Sequence, residues 1–227
     1  VAEALRHAGF AHSAKVEIKW IDSETVTEDN IADILSDCGG VIVPGGFGHR
    51  GIDGMITTAK YCREHNFPYL GICLGMQIAV IEFARDKAGI ADADSGEFNE
   101  ICKNKVIDFL PDQSSSISKG GTLRLGAYPC RLTPGSKAYE AYGTELISER
   151  HRHRYEFNDT YLERFKAAGM VPAGINPDSG LVEAVEIPSH PWFVGVQYHP
   201  EYKSTVLNPH PLFVAFVGAA MEYDKKK

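Results

Sequence analysis

The stretch Tyr69-Leu-Gly-Ile-Cys-Leu-Gly-Met-Gln-Ile-Ala-Val-Ile-Glu-Phe-Ala-Arg85 changes period in its middle, and that change decides the fold. Tyr69 to Ile72 is a short apolar run of the kind that makes a fully buried strand. From Leu74 to Lys87 the apolar positions, Ile78, Ile81 and Phe83 among them, recur at helical spacing. Gly71 and Gly75 stand two residues either side of Cys73, giving G-x-nucleophile-x-G at a strand-to-helix junction, where a sharp turn leaves no room for Cβ atoms. The helix would aim its partial positive charge at the sulfur, favouring thiolate over thiol. Such settings bring a thiol pKa of about 8.5 down to roughly 3.5–7.5. The N–H of Leu74 would face the oxyanion formed when Cys73 attacks a carbonyl. Cysteine is also a common small apolar core residue, so the elbow alone leaves both readings open. Cys38, Cys62, Cys102 and Cys130 lack this context and read as structural.

Outward from the elbow, strand-like and helix-like segments alternate. Lys15 to Ile21 reads as a strand, and Thr25 with Glu28 as a capping box opening a short helix that turns Ile31, Ile34 and Leu35 inward. Gly40 to Pro44 is a second β-branched run, followed by a glycine-rich turn and a helix over roughly Asp53 to His65. This rhythm predicts an α/β fold with a mostly parallel central sheet flanked by helices. Further on, Leu123 to Leu132, Arg150 to Phe157, Leu181 to Ile187 and Trp192 to Tyr198 read as strands with short connections, adding antiparallel strands to the same core. Helices are expected near Thr160 to Ala168 and Leu212 to Glu222. Pro111 to Gly121, with three serines and Gly-Gly, is a surface loop or a lid. No internal repeat is present, and residues 1–227 read as a single domain. The chain opens on a helical pattern (Ala2, Leu5, Ala8) with no strand before it, which points to a piece of a longer chain.

Tyr198-His199-Pro200-Glu201 follows the apolar run Trp192 to Val196. In extended chain, residues two apart face one side, so Glu201 can fix the imidazole tautomer while His199 takes the thiol proton. Pro200 biases His199 towards extended geometry. Metal binding and a surface pair are the rivals, and neither HExxH nor a Cys/His cluster supports a metal. The loop Pro44-Gly-Gly-Phe-Gly-His-Arg-Gly51 formally contains the dinucleotide fingerprint Gly46-x-Gly48-x-x-Gly51. That fingerprint needs an acidic residue about 20 positions on, where this chain has Leu70 to Leu74 and no carboxylate. The loop reads instead as the source of a second oxyanion donor, the N–H of Gly45 or Gly46.

Composition bounds these readings. With 44% hydrophobic and 23% charged residues the chain has the make-up of an ordinary globular protein. No apolar run reaches the roughly 18–20 residues of a membrane span, and no signal-peptide pattern opens the chain. A net charge of −7 disfavours broad nucleic-acid or anionic-membrane binding. Five cysteines without CxxC spacing fit a reduced, cytoplasmic setting. The three closing lysines read as a solvated tail.

In their order, Pro-Gly-Gly, Gly-Ile-Cys-Leu-Gly-Met-Gln and His-Pro-Glu resemble the class I glutamine amidotransferases over nearly the whole chain. Within that class, Trp20 to Glu24, Pro44 to Gly51, Gly121 to Gly126 and above all Glu149-Arg-His-Arg-His-Arg-Tyr-Glu156 resemble the glutaminase domain of CTP synthase. The resemblance implies hydrolysis of the L-glutamine side-chain amide through a γ-glutamyl thioester on Cys73, with His199 as acid and base and Glu201 orienting it. It implies glutamine-binding positions at Gly46, Phe47, Leu74, Gly75, Met76, Gln77, Glu97, Arg154 and Tyr155. A free amino acid carries an ammonium and a carboxylate, which suits Glu97 and the planar fork of Arg154; Tyr155 would act through its backbone. His151 and His153 read as structural or domain-contact residues, and Arg150 and Arg152 as a solvated face. The ammonia would serve ATP-dependent amination of UTP to CTP on a synthetase domain, with ATP and Mg²⁺ held there and no cofactor or metal held here. The resemblance further implies a homo-oligomer at full length and GTP as an activator, for which Phe67 and the Arg124 region are candidate contacts. Rival functions are the glutaminase of another amidotransferase such as GMP synthetase, a free γ-glutamyl hydrolase, or a non-catalytic scaffold.

Overall fold

The computed structural model describes residues 1–109 and 123–227; the expected lid at Pro111 to Gly121 lies outside them. Seven helices are described: α1 (Ala2–Ala11), α2 (Ile31–Ile34), α3 (Ile52–Glu64), α4 (Leu74–Asp86), α5 (Lys137–Tyr142), α6 (Leu162–Ala168) and α7 (Pro211–Asp224). The strands are β1 (Val41–Val43), β2 (Tyr69–Ile72), β3 (Ala93–Ser95), β4 (Asn104–Phe109), β5 (Arg124–Leu132), β6 (Leu146–His153), β7 (Tyr155–Phe157), β8 (Val171–Ile175), β9 (Val182–Glu186) and β10 (Phe193–Val196). The main sheet has the order β1-β2-β10-β9-β8-β5-β6. It is parallel through β1, β2 and β10, and antiparallel from β10 outward. The antiparallel share is larger than the alternating rhythm suggested, because β8 and α5 intervene where the sequence showed only connections. A second sheet, β3-β4-β7, crosses the other side of α4.

Side chains on β2 alternate between two cores. Tyr69 joins the cluster on the α3–α4 side, whereas Leu70 and Ile72 join the one beneath α5 and α7. Leu74 through Ala84 are all buried, so α4 is not the one-faced helix its spacing implied. The second sheet covers the face that would otherwise meet water, and a helix apolar all round is the result. The one ionisable residue in that run, Glu82, is 2% exposed and is held by Arg63 of α3 through contacts of 2.7 to 3.1 Å.

Three expected elements changed. Lys15 to Ile18 alternate in exposure but Lys19 to Ile21 are all exposed, and the segment joins no ladder among the described residues, so it forms no strand. Thr25 does not cap a helix: Ser23–Thr25 is a 3-10 turn, and α2 starts after Asn30, whose Oδ1 accepts from Thr27 N–H at 2.9 Å. Arg150 to Phe157 is not one strand, because the chain bends at Arg154 and passes from the main sheet (β6) to the second sheet (β7).

A buried polar cluster sits at that bend. Arg124 of β5 lies 2.5 Å from Glu183 of β9 and 3.2 Å from Glu156 of β7, tying the two sheets together. His151 and His153, on the inward face of β6, share a hydrogen bond of 2.8 Å between Nδ1 and Nε2. Burial pushes them down to about 2 and about 3, so both are neutral. Burial, with Glu183 nearby, pushes Glu156 up to about 8.

Two outcomes follow for stability. A Cβ on Gly75 would lie 2.0 Å from the Val43 carbonyl oxygen, a backbone atom, whereas one on Gly143, the left-handed cap of α5, meets nothing. In urea denaturation Gly75→Ala is expected to lose about 3 kcal/mol or more and Gly143→Ala about 1 kcal/mol. A carboxyl raised by folding contributes stability at low pH that is lost as pH rises through its folded value. Relative to the unaltered chain, Glu156→Gln should therefore gain stability between about pH 4.5 and 8 with a slope of up to about 1.4 kcal/mol per pH unit, read from urea midpoints across that range.

Candidate active site

β2 leads directly into Cys73, whose backbone sits at φ 52°, ψ −101°, a region a side chain enters only under constraint. Such a residue costs about 1–3 kcal/mol, so the surroundings must hold it. They do so at both ends: Cys73 N–H donates to the Val196 carbonyl at 2.7 Å, and its own carbonyl accepts from Gln77 N–H at 3.2 Å to start α4. The flanking glycines are required by contact. A Cβ on Gly71 would lie 2.6 Å from the Gly75 carbonyl, and one on Gly75 would strike Val43.

Cys73 is 3% exposed, and the helix start does not give it a low pKa. Burial pushes the thiol up to about 12; the Leu74 N–H pulls the other way, and Glu201, Glu156 and Glu97 add to the rise. The expectation of a resting thiolate is thus corrected: removing the sulfur from water outweighs the helix N-terminus. Cys62 and Cys130 are fully buried and held higher still by the same cause.

His199 Nδ1–H donates to Glu201 Oε1 at 2.8 Å. Their convergence does not come from a continuing strand. Pro200 opens a 3-10 turn, Pro200–Lys203, and the turn swings Glu201 back under the imidazole. With Nδ1 carrying the proton, Nε2 is the acceptor, and it is buried without a hydrogen-bond partner among the described residues. The His199 backbone is pinned by a 2.8 Å bond from its N–H to the Arg150 carbonyl, and its ring stacks on Tyr202. Gly45 packs against both base and nucleophile. A Cβ there would be 2.7 Å from His199 Cε1 and 3.5 Å from Cys73 Cβ. Cys73, His199, Glu201, Gly45 and Leu74 therefore meet at one place, and a Cβ on Gly46 would come 3.0 Å from the Leu74 side chain.

The other expected positions divide by what they expose. Glu97 is half-buried, accepts from Gly48 N–H at 3.4 Å, and is raised by burial while Arg154 and His49 lower it. Arg154 stands at the bend after β6 and is partly exposed. Phe47 is exposed, with the Arg152 guanidinium 5.9 Å from its ring centre. Arg150 and Arg152 lie on the open face of β6. The Met76 side chain is fully buried, and a Cβ on Gly195 would meet it at 3.1 Å. Gln77 is 3% exposed and spends its amide on internal partners, while the Tyr155 carbonyl already accepts from Gln77 Nε2 and His153 Nδ1 at 3.2 Å each. The Met76 side chain and the Gln77 amide are thus taken up by internal packing and hydrogen bonding. Phe67 is 1% exposed, packed between Tyr61 and Tyr223, and the Arg124 side chain points into the buried cluster; neither presents a surface to an effector. Sequence reading passed over Gln197, Glu183 and Arg124 as one cluster behind the site. The signal was there in Gln197, a polar residue directly after the apolar run Trp192 to Val196, and in Glu183 between apolar neighbours of β9.

Among the described residues no group of three or more His, Cys, Asp or Glu is arranged to hold a metal ion. None of their helices is long and apolar enough to cross a membrane.

Comparison with known proteins places this geometry. Residues 1–219 match the family described as glutamine amidotransferase class-I. CTP synthase of Carboxydothermus hydrogenoformans is 54% identical over 99% of the chain, and that of Bacteroides thetaiotaomicron 56% over 99%. The chain spans 42% of the length of each of these relatives. The solved glutaminase domain of Trypanosoma brucei CTPS with bound acivicin is 36% identical, with a TM-score of 0.91 over 97% of this chain and 86% of that one. A putative GMP synthase protein of Thermoplasma acidophilum shares the fold alone, at 16% identity and a TM-score of 0.62 over 99% of this chain and 90% of that one. With the family match running nearly end to end and so close a structural counterpart, the chain belongs to the class-I glutamine amidotransferases, in the branch of the CTP synthase glutaminase domains.

Proposed function

We propose that the chain hydrolyses the side-chain amide of L-glutamine and that the ammonia serves the amination of UTP to CTP by a synthetase domain. The observation that carries the reading is that Cys73, in strained backbone at a helix start, and His199, whose buried Nε2 has no hydrogen-bond partner among the described residues, both pack against Gly45. Because burial keeps the thiol protonated at rest, proton removal accompanies attack. His199 Nε2 takes the thiol proton as Sγ bonds to the amide carbon, and Glu201 stabilises the imidazolium. The oxyanion is met by the N–H groups of Leu74 and Gly45 or Gly46. His199 then passes its proton to the amide nitrogen, the C–N bond breaks and ammonia leaves a γ-glutamyl thioester on Cys73. Water attacks the thioester, losing its proton to His199; glutamate departs and the thiol is restored.

Glutamine is held by charge at its other end, the ammonium towards Glu97 and the carboxylate towards Arg154. Phe47 and the backbone of the first turn of α4 supply the remaining wall. The low identity to the GMP synthase protein gives no reason to prefer that branch.

Ammonia release from glutamine tests this. The unaltered chain is expected to release it, Cys73→Ala to lose all detectable release, and Glu201→Gln about a hundredfold or more of kcat through loss of the imidazole orientation. Release that persists in Cys73→Ala contradicts the reading. Gly45→Ala is expected to displace the His199 ring and lower kcat about a hundredfold, with an unchanged melting temperature showing that the fold is intact.

A further inference from the structure

Gln197 follows directly on β10 and is fully buried. Its backbone is fixed from two sides. Its N–H donates to the Glu183 carbonyl at 2.8 Å, and the preceding carbonyl, of Val196, accepts from Cys73 N–H at 2.7 Å. Strand and nucleophile therefore share one register. The orientation of the side-chain amide is dictated by its partners. The Tyr155 carbonyl can only accept, so the Gln77 atom 3.2 Å away is the nitrogen, Nε2. That nitrogen also faces Gln197 at 3.3 Å, so the Gln197 atom opposite is the acceptor, Oε1. Only the donor end is left for Cys73, and Gln197 Nε2 lies 3.6 Å from Sγ.

We infer that Gln197 is a further catalytic residue, whose amide N–H holds the Cys73 sulfur in place and stabilises the charge on it as the thiol proton leaves. The inference rests on the glutaminase reading and deepens it. In this dry setting water cannot solvate a sulfur anion, so fixed N–H groups must. Two reach the sulfur, the Leu74 amide and the Gln197 amide, while neighbouring acidic groups, Glu201 foremost, oppose the charge. Gln197 also links Sγ to Gln77 and through it to the Tyr155 carbonyl, beside Arg154. The nucleophile and the amino-acid end of the pocket are thereby set by one chain of hydrogen bonds.

Two variants test this. Gln197→Met keeps the length without a donor, and Gln197→Glu keeps the shape but places a titratable oxygen against the sulfur. Alkylation of Cys73 by iodoacetamide, followed at its peptide by mass spectrometry, is compared with glutaminase kinetics between about pH 6 and 9. In Gln197→Met, alkylation is expected to slow about three- to tenfold, the loss of thiolate being partly offset by the greater nucleophilicity of a more basic sulfur. Its kcat is expected to fall about tenfold or more, with KM for glutamine within about threefold. Gln197→Glu should keep activity where the introduced carboxyl is protonated and can donate, and lose it as pH rises through that titration. A purely structural role would give no such slope. Unchanged alkylation rates and superimposable pH profiles in the folded variants overturn the inference. The glutaminase reading fails by a different result, ammonia release that is absent from the unaltered chain or persists in Cys73→Ala. The alkylation comparison needs no turnover and still decides the role of Gln197.

Discussion

Backbone meets backbone where β2 turns into α4, and the rest of the molecule is arranged around that approach. Gly75 lies so close to the Val43 carbonyl, and Gly71 to the Gly75 carbonyl, that no Cβ fits at either place. The tight packing lets α4 run through the middle of the molecule with Leu74 to Ala84 buried, and it holds Cys73 at positive φ. The same turn presents the first free amide of the helix beside the sulfur, so one steric constraint fixes the core and the candidate nucleophile together.

Burial is the second organising term, and it acts against charge throughout the site. It keeps Cys73 a thiol, His151 and His153 neutral, and Glu156 mostly protonated at neutrality. What remains charged is paired: Arg124 with Glu183, and Arg63 with Glu82. A buried pair contributes little net stability, but removing one partner strands the other, so such clusters hold a particular arrangement of strands. Here they hold β6 and β7 on either side of the bend that carries Arg154.

Local rules reached the elbow and the strands beside it because their signals are local. Tyr69 to Ile72 stands where the apolar run placed it, and the two glycines marked the turn. The His199–Glu201 pairing is readable in the sequence although its cause is not: extended-chain alternation predicts it, whereas a 3-10 turn beginning at Pro200 brings the two together. Long-range effects were not legible. Nothing within α4 says that a second sheet will cover it, and nothing in Arg150 to Phe157 says that the strand will change sheets at Arg154. Lys15 to Ile21 has strand periodicity without a ladder. The thiol pKa is illegible locally for a related reason, since burial is a property of the whole packed site.

The central claim is that Cys73 is the nucleophile of a glutamine-specific site. A reactive glutamine analogue bearing a diazo-ketone, incubated with the chain and mapped by peptide mass spectrometry, tests it most directly. The account predicts one adduct, on Cys73, suppressed by excess glutamine. An adduct spread over other cysteines, or one on Cys73 that glutamine does not suppress, would contradict it.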